Sequence, residues 1–251
     1  FPTRRSSDLH RFTDTIWSLG YWGTVSEPQV WIETRNADQI QTFTLDLQRL
    51  SLDPIPHLRD RNNSLQWLAG LVDGGVFLKL RQGKNPGVEG LEAYDFPSGK
   101  LRYSLPLTQW SKLENQQLIT NQGIIDLTSG KIQTSFDSGK KASDLPVESP
   151  IHFEESQTEF QAFATLFDRK FKEKIGKGMD YWEGSNKLIF SYYIYDNTWK
   201  NKLRICDFEF QTLFIDTIAE GDLMGYQTFQ RFGNALIFIK EKRELLIYAD
   251  I

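Results

Sequence analysis

The feature that most constrains this chain is a turn motif that the sequence repeats. Two segments, EAYDFPSGKLRYSL and GIIDLTSGKIQTSF, run from an apolar stretch into Asp, two further residues, Ser-Gly-Lys and a second apolar stretch. Their aspartates are Asp95 and Asp126, and their glycines are Gly99 and Gly130. Glycine accepts the positive φ of a tight turn, and an aspartate side chain can accept hydrogen bonds from the N–H groups of its own turn. Each segment is therefore predicted to form a β-hairpin.

Weaker copies extend the pattern along the chain. TFTLDLQRLSL carries Asp46, RICDFEFQTLFI carries Asp207, and LLIYADI reaches Asp250. In the four complete copies an apolar residue lies six positions after the aspartate. Repeats of about 40–50 residues built from antiparallel strands are typical of β-propeller blades. The sequence therefore predicts an all-β protein, a β-propeller of about five blades, as a single domain over residues 10–251.

The two ends of the chain are predicted to pair. The last repeat offers strands in YQTFQRF, ALIFIKEK and ELLIYADI, while HRFTDTIWSL near the start is a strand without a unit of its own. Because pairing removes exposed sheet edges, we expect residues 12–19 to pair with the strand that ends at Asp250, so that the N- and C-terminal strands close the ring. The apolar side chains expected in the core near these and other inner strands are Phe12, Ile16, Trp17, Trp67 and Trp110.

One amphipathic helix is predicted within the longest interval between repeats. In SQTEFQAFATLFDRKFKEKIG, phenylalanines recur three and four positions apart, which gives a helix one apolar face. Ser156 and Glu159 fit a capping box at the start, and Gly176 fits a C-terminal stop. We therefore expect an inserted helix over residues 157–175, packed on an apolar surface. A sixth, degenerate blade is an open alternative for the rest of this interval.

The first nine residues, FPTRRSSDL, are set apart from the rest of the chain. Reverse translation gives TTC CCT ACA CGA CGC TCT TCC GAT CT, which resembles a common short-read sequencing adapter in one frame. The alternative is a basic N-terminal arm. We interpret residues 1–9 as a sequencing artefact foreign to the protein, expect no regular structure in them, and expect the native start to be missing.

Composition excludes several classes of function. The net charge of −4 argues against a nucleic-acid binder, because phosphate contacts need concentrated Lys and Arg. The sequence has no run of about 18 apolar residues that would span a membrane. The single cysteine, Cys206, rules out an intrachain disulfide, suits a reducing compartment and lies in an alternation typical of a buried core thiol. We expect a cytoplasmic monomer that binds an unidentified protein or small ligand.

The sequence holds no recognisable catalytic or cofactor motif. The three histidines, His10, His57 and His152, are far apart and lack metal-ligand spacing. Neither Ser-Gly-Lys copy has the spacing of a phosphate-binding loop, and no nucleophile elbow occurs. We therefore expect no metal and no cofactor.

One local cluster is a candidate ligand site. DYWEG followed by SYYIYDNTWKN places aromatic and carboxylate side chains on two predicted strands. Tyrosine and tryptophan combine contact area with hydrogen bonding, which favours a binding surface at a propeller mouth. Packing between blades is the competing interpretation, because large aromatic side chains fill such a wedge. The candidate ligand-binding residues are Asp180, Tyr181, Trp182, Glu183, Tyr193 and Tyr195.

The chain resembles two groups of known proteins. YDFPSGKLRYSL resembles the repeat of quinoprotein and WD40-like propellers, whose blades end in Asp-x-x-Ser/Thr-Gly-Lys-apolar, and this implies the propeller architecture without a function. The order of DTIWSL, LQWLAGL, EGLEAYDFPSGKL, DYWEGSNKLIFSYYIYD and LIFIKEKRELLIYAD resembles an uncharacterised family of Bacteroidota proteins, the domain of unknown function DUF4905. That second resemblance covers residues 12–251 and carries over no activity or site residue.

Two functions stay open at this point. The repeats, the missing catalytic motif and the many aromatic residues favour a non-catalytic binding or scaffold module. The alternative is a hydrolase or lyase acting on a small polar or glycan ligand at the central pocket, with carboxylates such as Asp180 and Glu183. Two carboxyl groups about 5–10 Å apart around an open pocket would favour the enzyme. Carboxylates engaged in structural bonds would favour the binding module.

Overall fold

The computed structural model describes residues 8–23, 28–36, 39–55, 66–72, 76–82, 88–95, 98–106, 110–114, 117–120, 123–127, 129–133, 147–222, 225 and 228–248. Over these residues the protein is mostly β, with one helix. In chain order the elements are β1 (Asp8–Arg11), β2 (Thr15–Gly23), β3 (Pro28–Arg35), β4 (Ile40–Asp46), β5 (Ser51–Pro54), β6 (Gln66–Val72), β7 (Val76–Gln82), β8 (Val88–Asp95), β9 (Leu101–Pro106), β10 (Trp110–Glu114), β11 (Gln117–Thr120), β12 (Gly123–Asp126), β13 (Ile132–Gln133), β14 (Val147–Glu148), β15 (Ile151–Glu154), α1 (Thr158–Phe171), β16 (Ile175–Glu183), β17 (Leu188–Asp196), β18 (Thr198–Cys206), β19 (Thr212–Glu220), β20 (Phe229–Phe232), β21 (Ala235–Lys240) and β22 (Glu244–Tyr248).

The chain divides into two compact units, residues 14–146 and residues 1–13 with 147–251. The first unit holds three antiparallel sheets of four strands, in the orders β2-β3-β4-β5, β6-β7-β8-β9 and β10-β11-β12-β13. Neighbouring strands are consecutive in sequence, so each sheet is a meander. Val30 and Leu45, paired across β3 and β4, are fully buried.

The second unit holds two antiparallel sheets of five strands, in the orders β1-β22-β21-β20-β14 and β15-β16-β17-β18-β19. Residues 147–154 supply β14 to one sheet and β15 to the other. Because β14 pairs with β20 and β15 with β16, one short segment covers an edge of both sheets. The described strands between β12 and β16 all join these five sheets, so they add no sixth sheet.

Two clusters of buried side chains stabilise the second unit. The cluster between its two sheets includes Ile189, Leu203, Phe229, Phe238 and Leu246. The cluster between α1 and the β15–β19 sheet includes Phe160, Phe167, Met179, Phe190 and Tyr192. Each large apolar side chain buried in this way contributes about 1.5–3 kcal/mol relative to an exposed one.

The repeated motif forms the hairpin turns that the sequence predicts. In the turn between β12 and β13, the Asp126 Oδ1 accepts the N–H of Ser129 at 2.9 Å. The Asp126 carbonyl accepts the N–H of Gly130 at 2.7 Å. Gly130 has a φ of 70°, the left-handed conformation that glycine adopts without a Cβ clash.

Other copies of the motif behave in the same way. The carboxylates of Asp46 and Asp207 accept backbone N–H groups of their own turns at 2.8 and 2.7 Å. Asp95 ends β8, and its carbonyl accepts the N–H of Gly99 at 2.6 Å. The hairpin prediction is confirmed at these turns, whereas Asp250 lies outside the described residues.

Helix α1 confirms the predicted helix but begins differently. Gln157 is the N-cap and makes no side-chain capping bond, so the predicted capping box of Ser156 and Glu159 is wrong. The Gln157 N–H instead donates to the carbonyl of Glu154 at 3.0 Å. This turn after β15 moves the start of the helix one residue beyond the serine.

The end of α1 also differs from the prediction. Lys172 ends the helix in the left-handed conformation, with a φ of 59°, and its N–H donates to the carbonyl of Phe167. Gly176 lies in β16, because pairing with β17 recruits this segment into the sheet. Within the described residues, no helix is long and apolar enough to cross a membrane.

The N- and C-terminal strands pair, through fewer and earlier residues than predicted. His10 of β1 lies opposite Leu245 of β22, and the N–H of Phe12 donates to the carbonyl of Arg243 at 2.9 Å. Strand β2, which holds the rest of the predicted segment, pairs with β3 instead. The two bends after Phe12 separate these two pairings.

Part of the first nine residues is ordered in a sheet. Asp8 and Leu9 lie opposite Ile247 and Leu246 of β22. The expectation that residues 1–9 have no regular structure is therefore wrong for Asp8 and Leu9. Residues 1–7 lie outside the described residues.

Trp17 is a further correction. Phe12 and Ile16 are buried as predicted, whereas Trp17 is 62% exposed. The register of β2 against β3 shifts at Trp17, so this residue is the extra member of a β-bulge and turns outward. The Arg35 guanidinium lies 4.8 Å from its ring centroid. The structure does not describe the side chains of the other two predicted core tryptophans, Trp67 and Trp110.

Two glycine substitutions test the hairpin turn. Gly130 and Gly233 both have positive φ, 70° and 54°, but only a Cβ on Gly130 meets a neighbour, the Tyr103 ring at 2.8 Å. The Tyr103 hydroxyl donates to the carbonyl of Leu127 at 2.5 Å, which holds the ring in place. We expect Gly233→Ala to lower the free energy of unfolding by about 1–2 kcal/mol. Gly130→Ala should cost about 1–3 kcal/mol more because of overpacking. Urea denaturation measures both, and equal losses would contradict this account of the turn.

Candidate functional site

The six candidate ligand residues lie on the neighbouring strands β16 and β17 but are divided between the two faces of the sheet. The register places Asp180 opposite Ser191, and successive side chains alternate between faces. One face carries Asp180, Trp182, Tyr193 and Tyr195. The other face, which packs on α1, carries Tyr181 and Glu183. The structure therefore does not gather all six residues on one surface.

Asp180 is a buried carboxylate, 2% exposed, with both oxygens engaged. Its Oδ1 lies 2.7 Å from His152 Nδ1. Its Oδ2 accepts the N–H and the hydroxyl of Thr228, both at 2.8 Å. Because His152 lies on β15 and Thr228 immediately precedes β20, this carboxylate joins the two sheets of the second unit. The hydrogen bonds offset the cost of burying its charge.

Tyr193 belongs to a second buried network on the same face. Its hydroxyl oxygen accepts the N–H of Gly225 at 2.5 Å and the Nδ2–H of Asn201 at 3.0 Å. The Asn201 Oδ1 accepts the Ser191 hydroxyl at 2.8 Å. Burial raises the pKa of Tyr193; the bonds from Gly225 and Asn201 oppose this rise, and the charge of Asp180 adds to it. Tyr193 is therefore a neutral phenol at physiological pH.

The connection between β19 and β20 is held at three described points. The Asp222 carbonyl accepts the Lys177 Nζ at 2.7 Å. The other two points are the bonds at Gly225 and Thr228, three and six residues further along. All three side chains that hold the connection stand on β16 and β17. The two fully buried candidate residues thus bind the backbone of their own chain.

Trp182 is also engaged by protein groups. Its Nε1–H donates to Glu148 Oε2 at 2.6 Å. The Arg231 guanidinium lies 4.4 Å from its ring centroid and forms an ion pair of 3.2 Å with Glu148. The Trp182 ring also packs against the cluster between the two sheets. Its polar edge and much of its surface are therefore occupied.

Tyr181 and Glu183 lie on the α1 face of the sheet. The ring of Tyr181 lies 5.1 Å from that of Phe163 and 5.3 Å from that of Phe190, between ring centroids. Its hydroxyl donates to Glu183 Oε2 at 2.5 Å, and Glu183 is otherwise exposed. Burial, together with the bond to and the charge of Glu183, raises the pKa of Tyr181. Tyr181 is thus a packing residue with its hydroxyl anchored.

The α1 face also holds a charged cluster without a sequence signature. Glu173 accepts hydrogen bonds from Lys202 at 2.7 Å, the Tyr192 hydroxyl at 2.6 Å and Arg204 at 2.9 Å. Burial alone would raise the pKa of Glu173, but the bonds from Lys202 and Tyr192 and the charge of Arg204 lower it below its ordinary value. The cluster fixes the segment after α1 onto β17 and β18.

Tyr195 remains at the surface, 67% exposed. Its ring meets Trp199 at 5.4 Å between centroids and an interplanar angle of 65°. The Lys177 Nζ lies 4.6 Å from the Trp199 centroid. Lys177 has a φ of 64° within the bulge of β16, and the bulge directs its side chain toward this tryptophan. We call Lys177, Tyr195 and Trp199 the Tyr195 corner.

The structure does not bring the two predicted carboxylates into one catalytic site. Asp180 is buried on one face of the sheet, and Glu183 is exposed on the other. Most glycoside hydrolases use a pair of carboxyl groups that flank the bond to be broken. Among the residues that the structure describes, no three His, Cys, Asp or Glu side chains are arranged to hold a metal ion. Cys206 is buried as predicted, and burial raises its pKa to about 11, which leaves a thiol rather than a nucleophilic thiolate.

A surface depression of about 460 Å³ lies on the second unit away from the candidate residues. It is lined by Arg11, Phe12, Thr13, Glu241, Arg243 and Glu244. Arg11 is exposed and forms an ion pair with Glu244. Two of the four charged residues that line the depression are thus paired with each other.

The partners of the buried polar groups include residues that no sequence motif marks. Ser191 and Asn201 do carry a signal, since Ser191 interrupts the apolar strand LIFSYYIYD and Asn201 occupies an apolar position in the alternation of TWKNKLRIC. His152, Gly225 and Thr228 carry none, because they reach the site from a short strand and a connection distant in sequence.

Comparison with known proteins finds weakly similar solved structures but does not assign the chain to a family. No protein-family model and no curated protein matches this chain. An uncharacterized protein of Listeria monocytogenes EGD-e, lmo1340, whose crystal structure was determined at 1.18 Å, matches with a TM-score of 0.35 and 10% identity over 95% of this chain and 94% of that chain. The AfRom2 CNH domain matches with a TM-score of 0.29 and 9% identity over 98% of this chain and 84% of that chain. Similarities of this size carry no argument about fold or function.

Replacing Asp180 tests its structural role. We expect Asp180→Asn to lower the free energy of unfolding by about 1–3 kcal/mol, because a neutral amide weakens the charge-assisted bonds from Thr228 and presents an NH2 group in place of the Oδ1 that meets His152. Asp196→Asn, at an exposed aspartate of the same sheet, should leave stability unchanged. Urea denaturation compares the two. If both variants were as stable as the wild type, Asp180 would have no structural role.

The charged cluster at Glu173 predicts a pH dependence. A carboxyl group whose pKa is lowered in the folded state contributes stability above its unfolded pKa and loses it as the pH falls through the folded pKa. The wild type should therefore be more stable than Glu173→Gln at neutral pH, and the difference should vanish in acid. Urea denaturation at pH 7 and at about pH 3 measures this, with Glu209→Gln as the exposed control. A difference that persists unchanged in acid would contradict the assignment.

Proposed function

We propose that this protein is a five-bladed β-propeller that acts as a non-catalytic binding module, with the Tyr195 corner as its contact surface. Support for the propeller comes from the five antiparallel sheets, from the aspartate turn that precedes the last strand in four of them, and from β1, which completes the sheet of the C-terminal strands. Membership of the DUF4905 family is part of the same proposal, and the monomeric state and the cytoplasmic location stay predictions.

The state of the candidate carboxylates supports binding rather than catalysis. Asp180 is buried with both oxygens hydrogen-bonded, and Glu183 lies on the opposite face of β16. A hydrolase or lyase working with this pair would need both carboxyl groups on one pocket. The same hydrogen bonds give Asp180 a structural role within its own chain.

The exposed ring of Tyr195 is the observation that carries the binding proposal. A ring 67% exposed and set edge-on against Trp199 offers apolar area that the protein itself leaves uncovered. The Lys177 ammonium, 4.6 Å from the Trp199 centroid, and the Tyr195 hydroxyl itself place hydrogen-bonding groups beside this ring. An aromatic face flanked by hydrogen-bonding groups suits a ligand with an apolar ring face and polar edges, such as a glycan.

Calorimetric titration with a panel of soluble oligosaccharides tests this proposal, with product formation monitored in parallel. We expect a member of the panel to bind without conversion. Tyr195→Ala should lower its affinity about tenfold, the effect of truncating an aromatic contact residue. Phe208→Ala is the matched control, since Phe208 is an exposed aromatic residue, 45% exposed, in another hairpin of the same sheet.

Two results would count against the proposal. If a bound panel member were converted and Glu183→Gln abolished the conversion, the hydrolase or lyase would replace the binding module. If binding were indifferent to Tyr195→Ala, or if no member of the panel bound, the Tyr195 corner would not be the contact surface.

A further inference from the structure

The second unit exposes apolar side chains beside a concentration of positive charge, in a region separate from the Tyr195 corner. In the β18–β19 hairpin three apolar residues are exposed, with exposed fractions of 45% for Phe208, 56% for Leu213 and 42% for Ile215. Residues 168–174, DRKFKEK, span the end of α1 and the segment after it. We define the basic apolar patch as these three apolar residues with four exposed cations, Arg169, Lys170, Lys172 and Lys174.

Contacts beneath the surface place the two parts of the patch side by side. Phe210, in the hairpin turn, lies 6.4 Å from Phe171 between ring centroids. The Lys170 Nζ lies 5.8 Å from the Phe210 centroid. Arg204 bridges both parts, since its Nη1 donates to Thr212 at 2.5 Å and its guanidinium lies 4.0 Å from the Phe171 centroid. The end of α1 and the β18–β19 hairpin are therefore neighbours.

The patch is positive although the chain as a whole carries a net charge of −4. The local carboxylates are Asp168, Glu173, Asp207 and Glu209. Of these, Glu173 is neutralised by ion pairs with Lys202 and Arg204 at 2.7 and 2.9 Å. The four exposed cations thus outnumber the carboxylates that remain to oppose them.

We propose that the basic apolar patch docks on an anionic lipid surface. Peripheral proteins bind such surfaces when exposed apolar side chains enter the boundary between headgroups and acyl chains while Lys and Arg attract anionic headgroups. The hairpin supplies the inserting residues, because the apolar face of α1 is buried through Phe160 and Phe167. An acidic protein would engage the cations and leave Leu213 and Ile215 without a role.

Co-sedimentation with vesicles tests this proposal on the full chain. We expect binding to vesicles of phosphatidylcholine mixed with phosphatidylserine, no binding to phosphatidylcholine alone, and weaker binding as salt is raised. The double substitution Lys172→Gln and Lys174→Gln should lower the apparent affinity by roughly 30-fold, about fivefold for each cation. Leu213→Ser should lower it about tenfold through lost apolar insertion.

Matched controls come from the sequence repeats. Leu101 is 54% exposed and lies six residues after Asp95, as Leu213 lies six residues after Asp207. Leu101→Ser and Lys131→Gln should therefore bind as the wild type does, and thermal unfolding verifies that every variant is folded. Failure of the wild type to bind anionic vesicles, or equal losses in the controls, would overturn the proposal. Equally tight binding to polyglutamate that Leu213→Ser leaves unchanged would overturn it in favour of an acidic protein partner.

Discussion

The arrangement of the second unit depends on the hydrogen bonds of one buried carboxylate, Asp180. It joins β15, through His152, to the residue before β20, Thr228, and so ties both five-stranded sheets to β16. A charge in this position is tolerated only when its hydrogen bonds are complete, and here both oxygens have partners. The apolar cluster between the sheets supplies non-directional stabilisation, whereas Asp180 fixes which residues meet.

Local turns and a long-range connection define the strands of this protein by different means. In both units, an aspartate and a residue with positive φ close a hairpin within a few residues, as in the turns from Asp126 to Gly130 and from Asp207 to Phe210. Such local closure costs little chain entropy. In the second unit, side chains on β16 and β17 hold a distant connection at Asp222, Gly225 and Thr228. Two of the candidate ligand residues, Asp180 and Tyr193, make two of these three contacts.

Sequence patterns predict what is local and miss what is distant. The Asp126 turn follows from a motif whose hydrogen bonds stay within five residues, and α1 follows from its apolar spacing. The prediction for Trp17 is wrong because one bulge reverses the face of a strand, which alternation alone does not show. Asp180 is recognisable in the sequence as an unusual carboxylate on an apolar strand, but its partners lie 28 and 48 residues away. Its role therefore cannot be read from neighbouring residues.

Asp180 and Tyr193 bind the backbone of their own chain, and for this reason the contact surface proposed above is an exposed one. Amide hydrogen exchange by NMR tests this most directly, because the N–H groups of Gly225 and Thr228 donate to these two side chains. We predict that both amides are protected in the wild type and that Asp180→Ala, which removes the acceptor, exposes the amide of Thr228 while the amide of Ile32, in the first unit, stays protected. Exchange of both amides at the rate of an unstructured peptide in the wild type would contradict the account.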